Sequence, residues 1–119
     1  MNKSVITTHI LDSQRGRPAV GVDVRLFKSA TGDAKSPDWQ LMAQAKTNDD
    51  GRITDWLGDR KREAGLYKVE FETGAYYAAQ QIKTLYPQVE LLFEIDAPDE
   101  HYHIPLLLAA NSFSTYRGS

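Results

Sequence analysis

The sequence predicts an all-β sandwich built as one domain over residues 1–119. Three observations point there. Short stretches alternate apolar and polar residues at the period of a half-buried strand. Gly, Pro, Asn and Asp turns separate them at sandwich-like spacing. Only one stretch, Ala75 to Gln81, has helix-forming composition. The expected inventory is about eight strands and one short helix, with no repeat and no low-complexity tract.

Taken in order, Val5 to Leu11 is β-branched and threonine-rich, and a Gly-Arg-Pro turn at Gly16 to Pro18 closes it. Val22-Asp23-Val24-Arg25-Leu26 alternates strictly, and Leu41 to Thr47 is the third strand, bounded upstream by Gly32, Ser36 and Pro37. Asn48-Asp49-Asp50-Gly51 is a turn, because Asn, Asp and Gly tolerate positive φ. Ile53 to Trp56 predicts a short strand, and the polar stretch Asp59 to Glu63 a solvated connection. Tyr67, Val69 and Phe71 alternate with Lys68, Glu70 and Glu72, and Gly74 marks the junction to the helix. Val89, Leu91, Phe93 and Ile95 form the next strand, ended by Ala97-Pro98-Asp99. His101 to Leu108 and Phe113 to Tyr116 complete the set.

Composition narrows the function. A chain of 119 residues with 41% apolar content buries roughly two-thirds of its unfolded surface, enough for one core without staples. With no cysteine, thiol chemistry and Cys-based zinc sites are excluded. Fourteen basic residues against sixteen acidic ones give a net charge of -2, which lacks the footprint of a nucleic-acid binder. No apolar run is long enough for a transmembrane helix, so no membrane partner is expected. The start Met1-Asn2-Lys3-Ser4-Val5 has no apolar h-region. The expected compartment is the cytoplasm, or the periplasm if a leader preceded this sequence.

Two strands break the tidy pattern. In the His101 to Leu108 strand, Tyr102, Ile104, Leu106 and Leu108 form a core face, while His101, His103, Pro105 and Leu107 share the other. In the first strand His9 lies with Thr7 and Leu11, opposite Ile6 and Ile10. A face mixing histidine with leucine suits a subunit interface or a cleft wall better than open water. Pro105 inside a strand asks for a bulge or an outward-pointing backbone site.

The three histidines, His9, His101 and His103, admit several readings. An ordinary polar residue near a strand end is the commonest role for a lone histidine. His101-x-His103 is also a spacing that zinc sites use, but the third ligand could only be guessed from His9, Asp99 or Glu100. A neutral imidazole can instead serve as a general base on water. A guanidinium beside it would favour the neutral form and could stabilise an oxyanion. Arg52, directly after the 48–51 turn, is the candidate, although from spacing alone a solvated turn residue is the better reading. No Gly-x-Ser-x-Gly elbow and no phosphate loop are present. Tyr76, Tyr77 and Tyr86 flank the helix as packing residues.

Three segments in order carry a resemblance across essentially the whole chain: Ile6-Thr7-Thr8-His9-Ile10-Leu11-Asp12 with Gly16-x-Pro18-Ala19, then Asn48-Asp49-Asp50-Gly51-Arg52, then His101-Tyr102-His103-Ile104-Pro105-Leu106-Leu107-Leu108 with Tyr116-Arg117-Gly118-Ser119 at the end. Together they resemble the transthyretin-related 5-hydroxyisourate hydrolases. The resemblance implies a transthyretin-like β-sandwich of two four-stranded sheets with one short helix. It implies assembly as a homotetramer, a dimer of dimers, with active sites in a channel between dimers. The implied reaction opens the six-membered ring of 5-hydroxyisourate, a product of urate oxidation, to 2-oxo-4-hydroxy-4-carboxy-5-ureidoimidazoline. Neither a metal nor another cofactor is expected.

By matching motifs, His9, Arg52 and His103 carry over as catalytic residues, and Tyr116, Arg117, Gly118 and Ser119 as substrate-binding ones. The expected division of labour has His103 and His9 orienting and deprotonating water, with Arg52 holding the substrate oxygens. No role transfers to His101. Ala109-Ala110-Asn111 stands where the family often continues with Ser-Pro, which puts the geometry of the last turn in question. A non-catalytic small-ligand carrier on the same fold is the alternative. An interaction module ranks below it, since it would need no clustered histidines.

Overall fold

A computed structural model describes residues 5–58 and 63–118. Its strands are β1 (Ile6–Asp12), β2 (Arg17–Pro18), β3 (Asp23–Ser29), β4 (Trp39–Lys46), β5 (Arg52–Ile53), β6 (Gly65–Phe71), β7 (Val89–Ile95), β8 (Tyr102–Ala109) and β9 (Ser112–Thr115), with one helix, α1 (Thr73–Ala78). One sheet runs β2-β1-β8-β9, with β5 also paired to β1, and the other runs β4-β3-β6-β7. All pairings are antiparallel except β1 with β8, which are parallel from Ile6↔Tyr102 to Asp12↔Leu108.

Alternation decides the core. Ile6, Ile10, Ile104, Leu106 and Leu108 point inward from the first sheet, and Val24, Leu26, Val69, Phe71, Val89 and Ile95 from the second. The two-sheet sandwich and the buried faces expected of β1 and β8 are both present.

Three local expectations need correction, and at Pro105 the second of two expected outcomes holds. The helix is shifted to Thr73–Ala78 rather than spanning Ala75 to Gln81. Its first turn is drawn forward because the returning chain supplies acceptors: the Gly74 N–H donates to the Pro87 carbonyl at 2.7 Å and the Thr73 hydroxyl to the Tyr86 carbonyl at 2.6 Å. Gly74 therefore lies inside the helix. At the other end Gln81 takes φ 60°, which stops the helix.

The strand expected over Ile53 to Trp56 is only Arg52–Ile53, because the chain then turns and the Trp56 indole donates to the Ile6 carbonyl at 2.9 Å. The Gly16 to Pro18 turn continues into the two-residue strand β2, paired to Leu11 and Asp12. Pro105 causes no register shift with β1 and no bulge. The His103 carbonyl accepts from Gly118 N–H and the Pro105 carbonyl from the Thr115 hydroxyl, so both face the β9 side. A proline there has no N–H to offer, so the β9 ladder ends at Leu106↔Thr115 and resumes as a single bridge, His103↔Gly118.

Ala109-Ala110-Asn111 forms a tight hairpin between Ala109↔Ser112 partners. The Gln14 side chain accepts from the Ala110 N–H at 3.0 Å, and the Ala110 carbonyl accepts from the Leu85 N–H at 2.9 Å. Most of the connection at Asp59 to Glu63, residues 59–62, lies outside the described residues, as does Ser119.

Candidate active site

The outer face of the β1–β8 sheet gathers the histidines. Parallel pairing sets Thr7 beside His103 and His9 beside Pro105, and antiparallel pairing sets Arg52 of β5 beside His9. Directly opposed residues project to the same side of a sheet, so Arg52, His9 and His103 share one face. The His9 and His103 ring centroids are 6.5 Å apart, tilted by 35°. One water at about 2.8–3.0 Å from a nitrogen of each ring fits that spacing.

Arg52 is aimed by the turn before it. The Asn48 carboxamide oxygen accepts from the Asp50 and Arg52 N–H groups, both at 2.9 Å, and Gly51 N–H donates to the Asn48 carbonyl at 2.8 Å. Gly51 has φ 74°, and a Cβ there would stand 2.5 Å from the Ile10 carbonyl oxygen. Only glycine lets this turn press against β1 and still deliver Arg52 beside His9.

His9 is half-buried and its pKa lies below the ordinary 6.5. Burial is the main cause, and the Arg52 guanidinium adds to it, while a hydrogen bond to the Asp50 backbone and the Asp50 charge pull the other way. The ring therefore stays neutral at physiological pH, which leaves it a lone pair to hold a water.

Two residues outside the expected site join it. The buried Thr7 hydroxyl oxygen lies 2.9 Å from His101 Nε2 and 2.8 Å from His103 Nδ1. The His101 and His103 rings stack 6.5 Å apart with a 17° interplanar angle. The shared face of Thr7 and His9, and that of His101 and His103, are legible in strand alternation. The parallel register that joins them is not.

The tail divides. Gly118 reaches the site: a Cβ on it would collide with His103 Cδ2, so the backbone packs directly on the imidazole. The Arg117 guanidinium instead pairs with Glu100 at 2.9 Å and lies over the Tyr102 ring at 4.2 Å. Tyr116 and Arg117 line a cavity of about 420 Å³ between β7 and the chain leaving β9, with Leu91, Phe93, Tyr102 and Ile104. Within one chain, then, His9, Arg52, His103 and Gly118 come together, while the Arg117 side chain is held elsewhere. Among the described residues no group of three or more His, Cys, Asp or Glu is placed to hold a metal ion.

The arrangement can hold a water between imidazoles and set a fixed cation beside developing negative charge. The sequence model of the HIUase/Transthyretin family matches residues 6–118. A probable 5-hydroxyisourate hydrolase of Schizosaccharomyces pombe is 44% identical over 115 residues, 96% of this chain and 90% of that protein. The solved 5-hydroxyisourate hydrolase of Klebsiella pneumoniae shares 34% identity at a TM-score of 0.80, covering 96% of this chain and 98% of that one. Sea bream transthyretin, solved in complex with thyroxine, superposes at a TM-score of 0.85 with 28% identity, covering 97% and 95%.

Fold and site thus define a transthyretin-like β-sandwich whose outer sheet face carries imidazoles and a guanidinium. The chain belongs to the HIUase/Transthyretin family.

Proposed function

We propose that the protein is an enzyme that hydrolyses 5-hydroxyisourate, with His9, Arg52 and His103 as its catalytic residues. The observation that carries the site assignment is the pairing of a neutral His9, flanked by Arg52, with a second imidazole 6.5 Å away. A water between the rings loses a proton to His103 as its oxygen attacks the ring carbonyl. His9 orients that water, and Arg52 offsets the charge that develops on the carbonyl oxygen. Collapse of the adduct breaks the ring C–N bond, and the proton held by His103 passes to the departing nitrogen. The product carries a carboxylate and an opened ring, so one water is consumed and no redox change occurs.

A carrier reading has one observation in its favour: the fold superposes on transthyretin at least as well as on the hydrolase, 0.85 against 0.80. Fold alone does not choose between them. Sequence favours the hydrolase, with 44% and 34% identity to hydrolases against 28% to sea bream transthyretin. The same reading includes a homotetramer whose dimer–dimer channel closes over the site. Supporting it are the exposed Val20, Leu85, Phe113 and Tyr116.

The deciding assay adds the protein to freshly oxidised urate and follows the intermediate's absorbance. Decay well above the spontaneous rate is expected. Decay at the spontaneous rate, with tight binding of a thyroxine-like ligand, would establish the carrier instead. Light scattering after size exclusion reads the assembly, with four chains expected.

A further inference from the structure

The His101–Thr7–His103 bridge has a chemical consequence. The Thr7 hydroxyl has one proton to give, and neutral imidazoles each carry one N–H and one lone pair. Its oxygen stands 2.9 Å from His101 Nε2 and 2.8 Å from His103 Nδ1, so the two ring tautomers are coupled through it. Two neutral chains satisfy all three groups. In one, His101 Nε2–H donates to Thr7, and Thr7 donates to His103 Nδ1, which puts the remaining His103 proton on Nε2. In the other, His103 Nδ1–H donates to Thr7, and Thr7 donates to His101 Nε2, which puts the His103 lone pair on Nε2.

Only the second chain leaves His103 able to take a proton from water. From this geometry we propose that Thr7 is a positioning residue for the hydrolysis, fixing His103 as its Nδ1–H tautomer with His101 as the acceptor that completes the chain. Free imidazole side chains favour the opposite, Nε2–H, form, so the bridge performs a selection that solvent would not. During turnover the Thr7 and Nδ1 protons stay in place; only His103 Nε2 gains and returns one.

Burial supports the assignment. Thr7 is 2% exposed although its strand face looks outward, because the two rings cover it. Water therefore competes poorly for its hydroxyl. The parallel pairing of Thr7 with His103 holds the two Cα atoms side by side, so the contact is set by backbone register.

The role rests on the hydrolase reading, and its test separates the two. Nitrogen-15 NMR of the full-length protein reads the His103 tautomer without substrate. The Nδ1–H form is expected in wild type and in Thr7→Ser, and the Nε2–H form in Thr7→Val, which keeps the shape but has no hydroxyl. In the absorbance assay Thr7→Val should lower kcat by about 10–100-fold, as removal of an orienting hydrogen-bond partner does, with KM little changed. Thr7→Ser should restore most of it. A wild-type His103 in the Nε2–H form overturns the proposal, as does a folded Thr7→Val with unchanged tautomer and kcat. Equal losses in the serine and valine variants also overturn it, since they would mark the methyl group as the important part. If Thr7→Val fails to fold, the wild-type and serine spectra decide. A wild type that turns over no 5-hydroxyisourate defeats the hydrolase reading, and with it the catalytic meaning of the tautomer.

Discussion

Asp12 and His9 lie three residues apart on β1, and their surroundings do opposite things. Asp12 is fully buried. The Gln14 and Arg15 N–H groups donate to its Oδ1 at 3.1 Å, the Tyr76 hydroxyl to Oδ2 at 2.8 Å, and the Tyr77 hydroxyl to Oδ1 at 3.3 Å. Burial and the Asp12 carboxylate push both tyrosine pKa values upward, so those hydroxyls remain donors throughout the working pH range. That region ties the helix to the sheet and has no proton to spare. His9 faces a turn instead of a helix, and its neighbours keep it uncharged while a basic lone pair remains. One strand thus anchors the fold at its end and, in the proposed reaction, holds a water with the imidazole at its middle. The difference comes from what packs over it.

The comparison breaks most easily at the histidines. His9→Ala and His103→Ala should each lower kcat by about 10²–10⁴-fold, the range for a lost general base. Far-UV circular dichroism should not change. Small, equal losses at both would mean the rings only line an interface. Arg52→Lys comes next. A point charge does not reproduce the guanidinium fork, and the loss of such a stabilising donor removes about 10²–10³ in rate. Near wild-type turnover in that variant would return Arg52 to the status of a turn residue.

At the other end the same logic inverts. Tyr77→Phe removes one donor to a buried carboxylate and should lower stability by about 1–2 kcal/mol. Turnover at a temperature where the variant is folded should stay near wild type. Urea unfolding and the absorbance assay, run together, read both. A Tyr77→Phe protein that is stable but inactive would erase the distinction between the two ends of β1.

How much of this was legible beforehand depends on whether the signal is local. Strand alternation gave the core face of β8 and the separate face of His103, because the pleat has period two. Turn chemistry gave the 48–51 turn. The helix starts two residues before the stretch that composition predicts, since Thr73 and Gly74 are drawn into it by the carbonyls of Tyr86 and Pro87, contacts that no local pattern encodes. The resemblance transfers no role to His101, and its contact with Thr7 depends on the parallel β1–β8 register, which joins residues more than ninety positions apart. The resemblance groups Arg117 with Gly118, yet the tail sends the first toward Glu100 and lets the second touch His103. Asp12 ends the Ile6–Asp12 motif, and the sequence alone assigns it no role. Its partners on α1 supply one.

The smallest expected effect is also the sharpest test of why His9 differs. Its pKa lies below 6.5 chiefly through burial, with Arg52 as the second cause. A proton NMR titration should therefore find the His9 midpoint below that of a free histidine. Because the folded-state value is the lower one, the unfolded chain binds the extra proton first. Folding stability linked to His9 rises with pH across the interval between the folded value and 6.5, and falls as the solution is acidified through it. Arg52→Gln removes the charge and leaves the burial, so the midpoint should climb part of the way back and stop short of 6.5. Full return to the free value would assign the whole shift to Arg52. No movement would show that the guanidinium is too well solvated to act on His9, and burial alone would then keep the water-orienting ring neutral.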